Sequence, residues 1–211
     1  MATFDLPDTP LVEITFTLDD GTVMSRSGFG KVLNLTNVAD PTWRVKIQTG
    51  PLDQAGRQIW TSWKSKLRGG LNRFSAYDVS RKVPLKYQGA SSPGDIAAGW
   101  NGLGSVSAVG TGGAVTINGL PPGYQVAEGD RIALEKSGWT GYFEINTDAV
   151  ANSSGVAPLV LSPFIDSYFS VGAVARLWRP RALFIIDWET WQHSAIAAPT
   201  PVSFEAYGVL K

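Results

Sequence analysis

The sequence predicts a mainly β fold: a β-barrel or sandwich with one packed α-helix, into which a small antiparallel β-barrel module is inserted. Three observations predict it. Long runs at both ends of the chain alternate apolar and polar residues, one amphipathic helix pattern stands between two such runs, and the middle consists of short strand-like runs separated by turn signals.

Val12, Ile14, Phe16 and Leu18 alternate with Glu13, Thr15 and Thr17 ahead of Asp19-Asp20-Gly21, a strand that runs into a strong turn signal. Residues 24–35 continue as one or two strands, interrupted around Gly28-Phe29-Gly30. Trp43, Val45 and Ile47 alternate with Arg44, Lys46 and Gln48, the period of a strand with one buried and one wet face, and Gly50-Pro51 ends it. The helix is expected over 53–68. Asp53 is placed to accept from the free N–H groups at its start; Ile59, Trp63 and Leu67 recur at i, i+4 and i+8 with Trp60 beside them. Lys64, Lys66 and Arg68 suit its negative end, and Gly69-Gly70 supplies the left-handed residue that stops it. Phe74 and Tyr77 open the next strand.

Residues 87–113 are rich in Gly, Ser and Ala with few large apolar side chains, the texture of a boundary or a long excursion. Short runs follow at 114–117, 131–134, 141–145 and 158–161, between turn signals such as Asn118-Gly119, Pro121-Pro122-Gly123 and Glu128-Gly129-Asp130. Long patterned strands return at 174–178, 183–188 and 202–210. The N-terminal block alone has too few strands to close a barrel, and the C-terminal strands would complete it. The expected organisation is therefore one discontinuous domain, 1–88 with 176–211, carrying an inserted β domain at 89–175; two sequential domains are the alternative.

A chain of 211 residues with 44% hydrophobic and 17% charged residues is a folded protein with a sizeable core. Its formal net charge of zero argues against a dedicated nucleic-acid binder. The average conceals blocks: the balance is −4 over residues 1–40, +8 over 41–90, −5 over 91–175 and +1 over 176–211. Such blocks suit steering and register between copies or neighbouring subunits, or form a salt-laced surface within one monomer. Without cysteine there are no disulfides, thiolate metal sites or cysteine nucleophiles. The N-terminus carries no basic region followed by an apolar run, so a soluble cytoplasmic product is expected, with no membrane insertion.

Catalytic patterns are weak. His193 is the sole histidine, which excludes histidine-rich metal sites, and it reads as a loop residue. Gly28-Phe29-Gly30-Lys31 resembles part of a phosphate loop, but Ser25 stands where the first glycine belongs and Val32 replaces the Ser/Thr. Asp187 and Glu189 lie two apart on an expected strand and would share a face beside Trp188, an arrangement open to glycoside chemistry; alternation favours a solvated face with Trp188 turned inward. Glu128, Asp130 and Asp148 lack a calcium-loop pattern, and Gly129-Asp130 reads as a turn. No enzyme activity, cofactor or metal is expected. Trp43, Trp60 and Trp63 fall at core positions, whereas Trp100 and Trp139 stand among Gly and Ser, where an exposed ring could stack on a sugar; Tyr142 joins them as a possible glycan contact.

Several motifs together resemble tail proteins of double-stranded DNA bacteriophages. They are Gly50-Pro51-Leu52, Trp60 and Trp63, Leu67-Arg68-Gly69-Gly70, Arg73-Phe74 and Tyr77-Asp78, then Pro122-Gly123, Glu128-Gly129-Asp130-Arg131-Ile132-Ala133-Leu134, Gly155, Pro158, Pro163 and Arg179-Pro180. The resemblance implies a tail-tube-like β-barrel with one packed helix, of the distal tail or baseplate type. It further implies a structural virion protein, assembled in the host cytoplasm and resident in the virion tail, that forms a cyclic homo-oligomer, a hexamer being favoured. Partners would be other tail proteins such as tube and hub, with no specific nucleic acid; a host glycan is the partner under the alternative, a tail-associated carbohydrate- or receptor-binding module. For ring closure, Arg57, Lys64, Lys66 and Arg68 are the candidates for a basic interface face, and Asp19 and Asp20 for the acidic one.

Overall fold

The computed structural model describes residues 1–9, 11–26, 33–193 and 199–211. It is mainly β with one α-helix. Along the chain, β1 (Thr3–Asp5), β2 (Leu11–Asp19), β3 (Thr22–Arg26), β4 (Leu33–Asn37) and β5 (Thr42–Thr49) precede α1 (Gln54–Lys66) and β6 (Arg73–Ala76). Next come β7 (Leu103–Val109), β8 (Ala114–Asn118), β9 (Gln125–Val126), β10 (Arg131–Lys136), β11 (Trp139–Ile145), β12 (Ala149–Val150), β13 (Ala157–Ser162) and β14 (Val174–Arg176). The chain ends with β15 (Ala182–Ile186), β16 (Gln192–His193) and β17 (Val202–Val209). Two compact units result, Met1–Phe74 with Phe184–Val209, and Ser75–Leu183 with Leu210–Lys211.

The boundaries thus lie at 74/75 and 183/184, outside the expected 88/89 and 175/176, for a local reason. Residues 75–88 attach to the inner unit: the Leu85 N–H donates to Asp130 Oδ1 at 2.9 Å, and the Tyr87 ring stacks on Tyr124 with centroids 4.9 Å apart. Turn chemistry in a sequence marks where strands stop. It does not mark which core a connecting segment joins.

In the outer unit the strand order is β1-β6-β15-β17-β5-β2, with β16 beside β17. One face carries Trp43, Val45, Ile47, Phe74, Phe184, Val202, Phe204 and Ala206, all buried. Helix α1 adds Trp60, Trp63 and Leu67 to this core. Asp53 caps its start, accepting from the Gly56 N–H at 2.7 Å, and the chain leaves it through Gly69 at φ 67° and Gly70 at φ 86°. Ile59, expected in the stripe, is instead half exposed. Positions 60, 63 and 67 face the sheet, and a residue one place before Trp60 is rotated 100° away from it. Val12 is likewise exposed because the β2–β5 register shifts between Leu11 and Glu13, turning one residue of the alternation outward. The other sheet face is polar and internally paired: Arg44 Nη2 lies 3.1 Å from Glu205 and 3.2 Å from the Tyr207 hydroxyl, and Lys46 lies 3.6 Å from Glu13.

The inner unit is a closed antiparallel barrel of six strands in the order β10-β11-β13-β8-β7-β14. Its core holds Val106, Val115, Ile117, Leu120, Ile132, Leu134, Phe143, Ile145, Leu159, Leu161 and Phe169. Strand β7 lies inside the segment read as an excursion, a correction with a clear cause. Closure brings backbone onto backbone, and a Cβ on Gly104 would sit 2.7 Å from Ile117 Cγ2 and 2.8 Å from the Asn118 carbonyl oxygen. Small residues there are what lets β7 pair with both β8 and β14. Gly155 is similarly constrained: its φ is 71°, its carbonyl accepts from the Leu120 N–H, and a Cβ would collide with the Leu120 carbonyl oxygen. Gly155→Ala is expected to destabilise the barrel by more than the ~1–2 kcal/mol of left-handed strain alone. A urea midpoint unchanged from the parent would contradict that geometry.

Candidate functional site

The most unusual surface is a two-stranded ribbon. Strands β3 and β4 pair only with each other, from Thr22 opposite Asn37 to Arg26 opposite Leu33. They extend the β2–β5 hairpin: Asp19 is opposite Thr42, and the Val38 N–H then donates to the Gly21 carbonyl at 2.9 Å where the ribbon leaves the sheet. Gly21 is obligatory at that junction, with φ 63° and the Ala39 backbone where a side chain would go. Every residue of both strands is exposed. Directly opposed residues share a face, so Met24, Leu35 and Leu33 lie on one side with Arg26, while Val23, Thr36, Ser25 and Asn34 occupy the other. Met24, Leu33 and Leu35 are each more than half exposed, an apolar face with no cover among the described residues. An isolated two-stranded hairpin is marginal in water, so this one is suited to completion by another surface. The phosphate-loop-like residues 28–31 lie outside the described residues.

Of the expected basic face, Lys64 is engaged within its own unit. Its Nζ lies 4.3 Å from the Trp188 ring and 4.6 Å from the Trp191 ring, and burial holds its pKa below the ordinary lysine value. This removes Lys64 from the set of freely presented cations. Lys66 and Arg68 remain exposed on and just beyond the last turn of α1, and Arg57 is half-buried. Ile59 and Leu71, both more than half exposed, put apolar surface beside them in sequence. Asp19 and Asp20 stand where the ribbon begins, Asp19 accepting from the Gly21 N–H at 3.1 Å.

Three other candidates are re-placed. Asp187 does not share a strand face with Glu189: β15 stops at Ile186, and Asp187 caps a short 3-10 turn by accepting from the Glu189 N–H at 3.1 Å. The glycosidase geometry needs two carboxyls flanking a cleft, and here one is a backbone cap. His193 is exposed on β16, opposite Val202. Tyr142 is buried at 4% exposure on the barrel, so its ring offers no platform to a sugar.

Tyr142 instead belongs to a polar cluster that the sequence reading missed. Arg131, 6% exposed, is ion-paired with Glu144 and hydrogen-bonded to Tyr142, with Asp78 close by. Arg81 approaches the same Glu144 at 3.7 Å, and Asp78 accepts from the Ser80 N–H and hydroxyl at 2.9 and 2.6 Å. Burial lowers the Arg131 pKa and raises that of Tyr142. The signal was available: Arg131 opens β10 immediately before the buried run Ile132-Ala133-Leu134, a cation where the strand enters the core. Neighbouring Asp130 accepts from the Leu85 and Ala127 N–H groups at 2.9 and 2.7 Å, yet burial outweighs these bonds and raises its pKa. A raised carboxyl favours the folded state most below its unfolded pKa, about 3.9, and that advantage is lost as pH rises through the folded value. Comparing Asp130→Asn with the parent across pH should show the parent losing relative stability over that window; a constant difference would contradict it.

Trp100 and Trp139 are half-buried. The Trp100 indole N–H donates to the Leu103 carbonyl at 2.8 Å and its ring meets Tyr124 edge-on, so it serves the barrel. Trp139 stacks on Tyr168 with centroids 3.9 Å apart, and Lys211 Nζ lies 5.0 Å from its ring. Phe164, 72% exposed, belongs to the same inner unit. No protein-family model matches the chain, and no curated protein matches it in sequence. Among the described residues, no group of three or more His, Asp or Glu side chains converges to hold a metal.

Proposed function

We propose that this chain is a structural subunit of a bacteriophage tail, closing into a ring at the distal tail or baseplate that joins the tube to the tip. The observation that carries the reading is the ribbon of β3 and β4, whose exposed apolar face asks for a second surface. The motif resemblance supplies the setting, and the alternating charge blocks supply a means of ordering copies head to tail. On this reading the protein works by symmetric assembly and no reaction is assigned to it. Light scattering and negative-stain images of the purified chain, alone and mixed with tail-tube subunits, test it. A discrete ring is expected, of six copies by the resemblance; a monomer under both conditions would end the reading.

The stacked Trp139–Tyr168 pair favours a second reading, in which the inner barrel recognises a host glycan. Glycan binding by the full chain, lost in Trp139→Ala, would support it. Equal binding by parent and variant would remove the pair from that role.

A further inference from the structure

The opposite charges and apolar residues of the outer unit form two separate patches with matching order. On the ribbon, the Met24–Leu35 pair is followed toward the root by Asp20 and Asp19, with Asp40 in the link between β4 and β5. On the helix, exposed Ile59 is followed toward the C-terminus by Lys66 and Arg68, with Leu71 beyond. The spacings are compatible. Met24 and Asp20 are four residues apart across the Gly21 junction, at most roughly 14 Å. Ile59 and Lys66 lie seven residues apart on one face of a helix, roughly 10.5 Å, a difference within reach of a lysine side chain. Among the described residues, no ion pair joins Asp19, Asp20 or Asp40 to Lys66 or Arg68 within the chain.

We propose that the β3–β4 ribbon of one copy lies across the outer face of α1 of the next copy, Met24 and Leu35 against Ile59, and Asp19 and Asp20 against Lys66 and Arg68. This rests on the assembly reading above and names its contact. Because the two patches differ, the contact is heterologous: it propagates in one direction and closes into a ring where the rotation allows. It covers the apolar face that leaves the ribbon marginal. It also gives the acidic block of residues 1–40 and the basic block of 41–90 a common purpose.

The absence of cysteine makes the test direct. Leu35→Cys/Ile59→Cys, treated with a short bis-maleimide and run on a denaturing gel, is expected to give a ladder from dimer up to the ring number. Each single variant should stay monomeric on the gel. Dimers from Leu35→Cys alone would mean that ribbon meets ribbon, and would overturn the contact while leaving assembly standing. So would an oligomer by light scattering that yields no ladder from the double variant. A chain that stays monomeric in solution and with tail-tube subunits overturns both. As a second measurement, Asp19→Lys/Asp20→Lys and Lys66→Asp/Arg68→Asp should each weaken association about tenfold or more. The variant combining all four should recover it; a combined variant as weak as its parents would remove the charge pairing.

Discussion

Trp60→Ala is expected to lower the stability of the outer unit by about 3–5 kcal/mol, the range for deleting a large aromatic from a packed core, while Ile59→Ala changes it by no more than about 0.5 kcal/mol. The contrast between adjacent residues carries the point. Trp60 is fully buried, meets Trp63 edge-on at 5.3 Å and Phe204 at 5.9 Å, and its indole N–H donates to the Thr9 hydroxyl at 2.8 Å. Alanine would leave a cavity between helix and sheet and strip Thr9 of its donor. Trp63 is tied in the same way, packing on Phe74 at 5.2 Å and donating to the Asp5 carbonyl at 2.8 Å. The two indoles therefore hold the N-terminal segment as well as the helix. Hydrogen-exchange protection of the α1 amides reports on this unit separately from the barrel. Similar losses in both variants would mean that the helix face is rotated from the one described.

Arg131→Ala should destabilise the barrel by about 2 kcal/mol, toward the lower end of the roughly 1.5–3 kcal/mol for hydrogen bonds to charged groups, because the partner carboxylate of Glu144 is partly exposed. The lower end also applies because Glu144 keeps Arg81 at 3.7 Å and Asp78 keeps its two bonds from Ser80. What is lost is the buried guanidinium linking Tyr142, the partly exposed Glu144 and the vicinity of Asp78. Arg131→Lys keeps the charge and gives up the planar fork, so its cost should fall between parent and alanine. Urea unfolding of the three proteins orders them; an alanine variant within about 1 kcal/mol of the parent would show that the cluster is solvated and contributes little.

These two sites mark the difference between what a linear pattern reveals and what it cannot. The helix was legible because its signals are local: Asp53 three residues before the N–H it caps, Gly69 and Gly70 where a left-handed turn is needed, and indoles recurring along one side. Its exact face was not, since Ile59 and Trp60 are both apolar and only the sheet decides which is covered. Alternation located β5 and β17 because each has one wet side. Strand β7 escaped because its small residues answer to Ile117 and Asn118, which lie more than ten residues away.

The candidate surfaces divide in the same way. Charge segregation could be counted from the sequence, and it directed attention to Lys64, Lys66, Arg68, Asp19 and Asp20. Only folding showed that Lys64 lies beside two indoles while Lys66 and Arg68 stay exposed. Only folding buried Tyr142 beside Arg131 and turned Asp187 from an expected residue of a solvated strand face into a cap. By itself the sequence determined the fold class, the helix and most strands, through short-range periodicity and backbone preferences. The tertiary structure alone decided the closure of the inner barrel, the face of α1 and the exposure of the ribbon, because each depends on which distant residues arrive to cover an apolar surface.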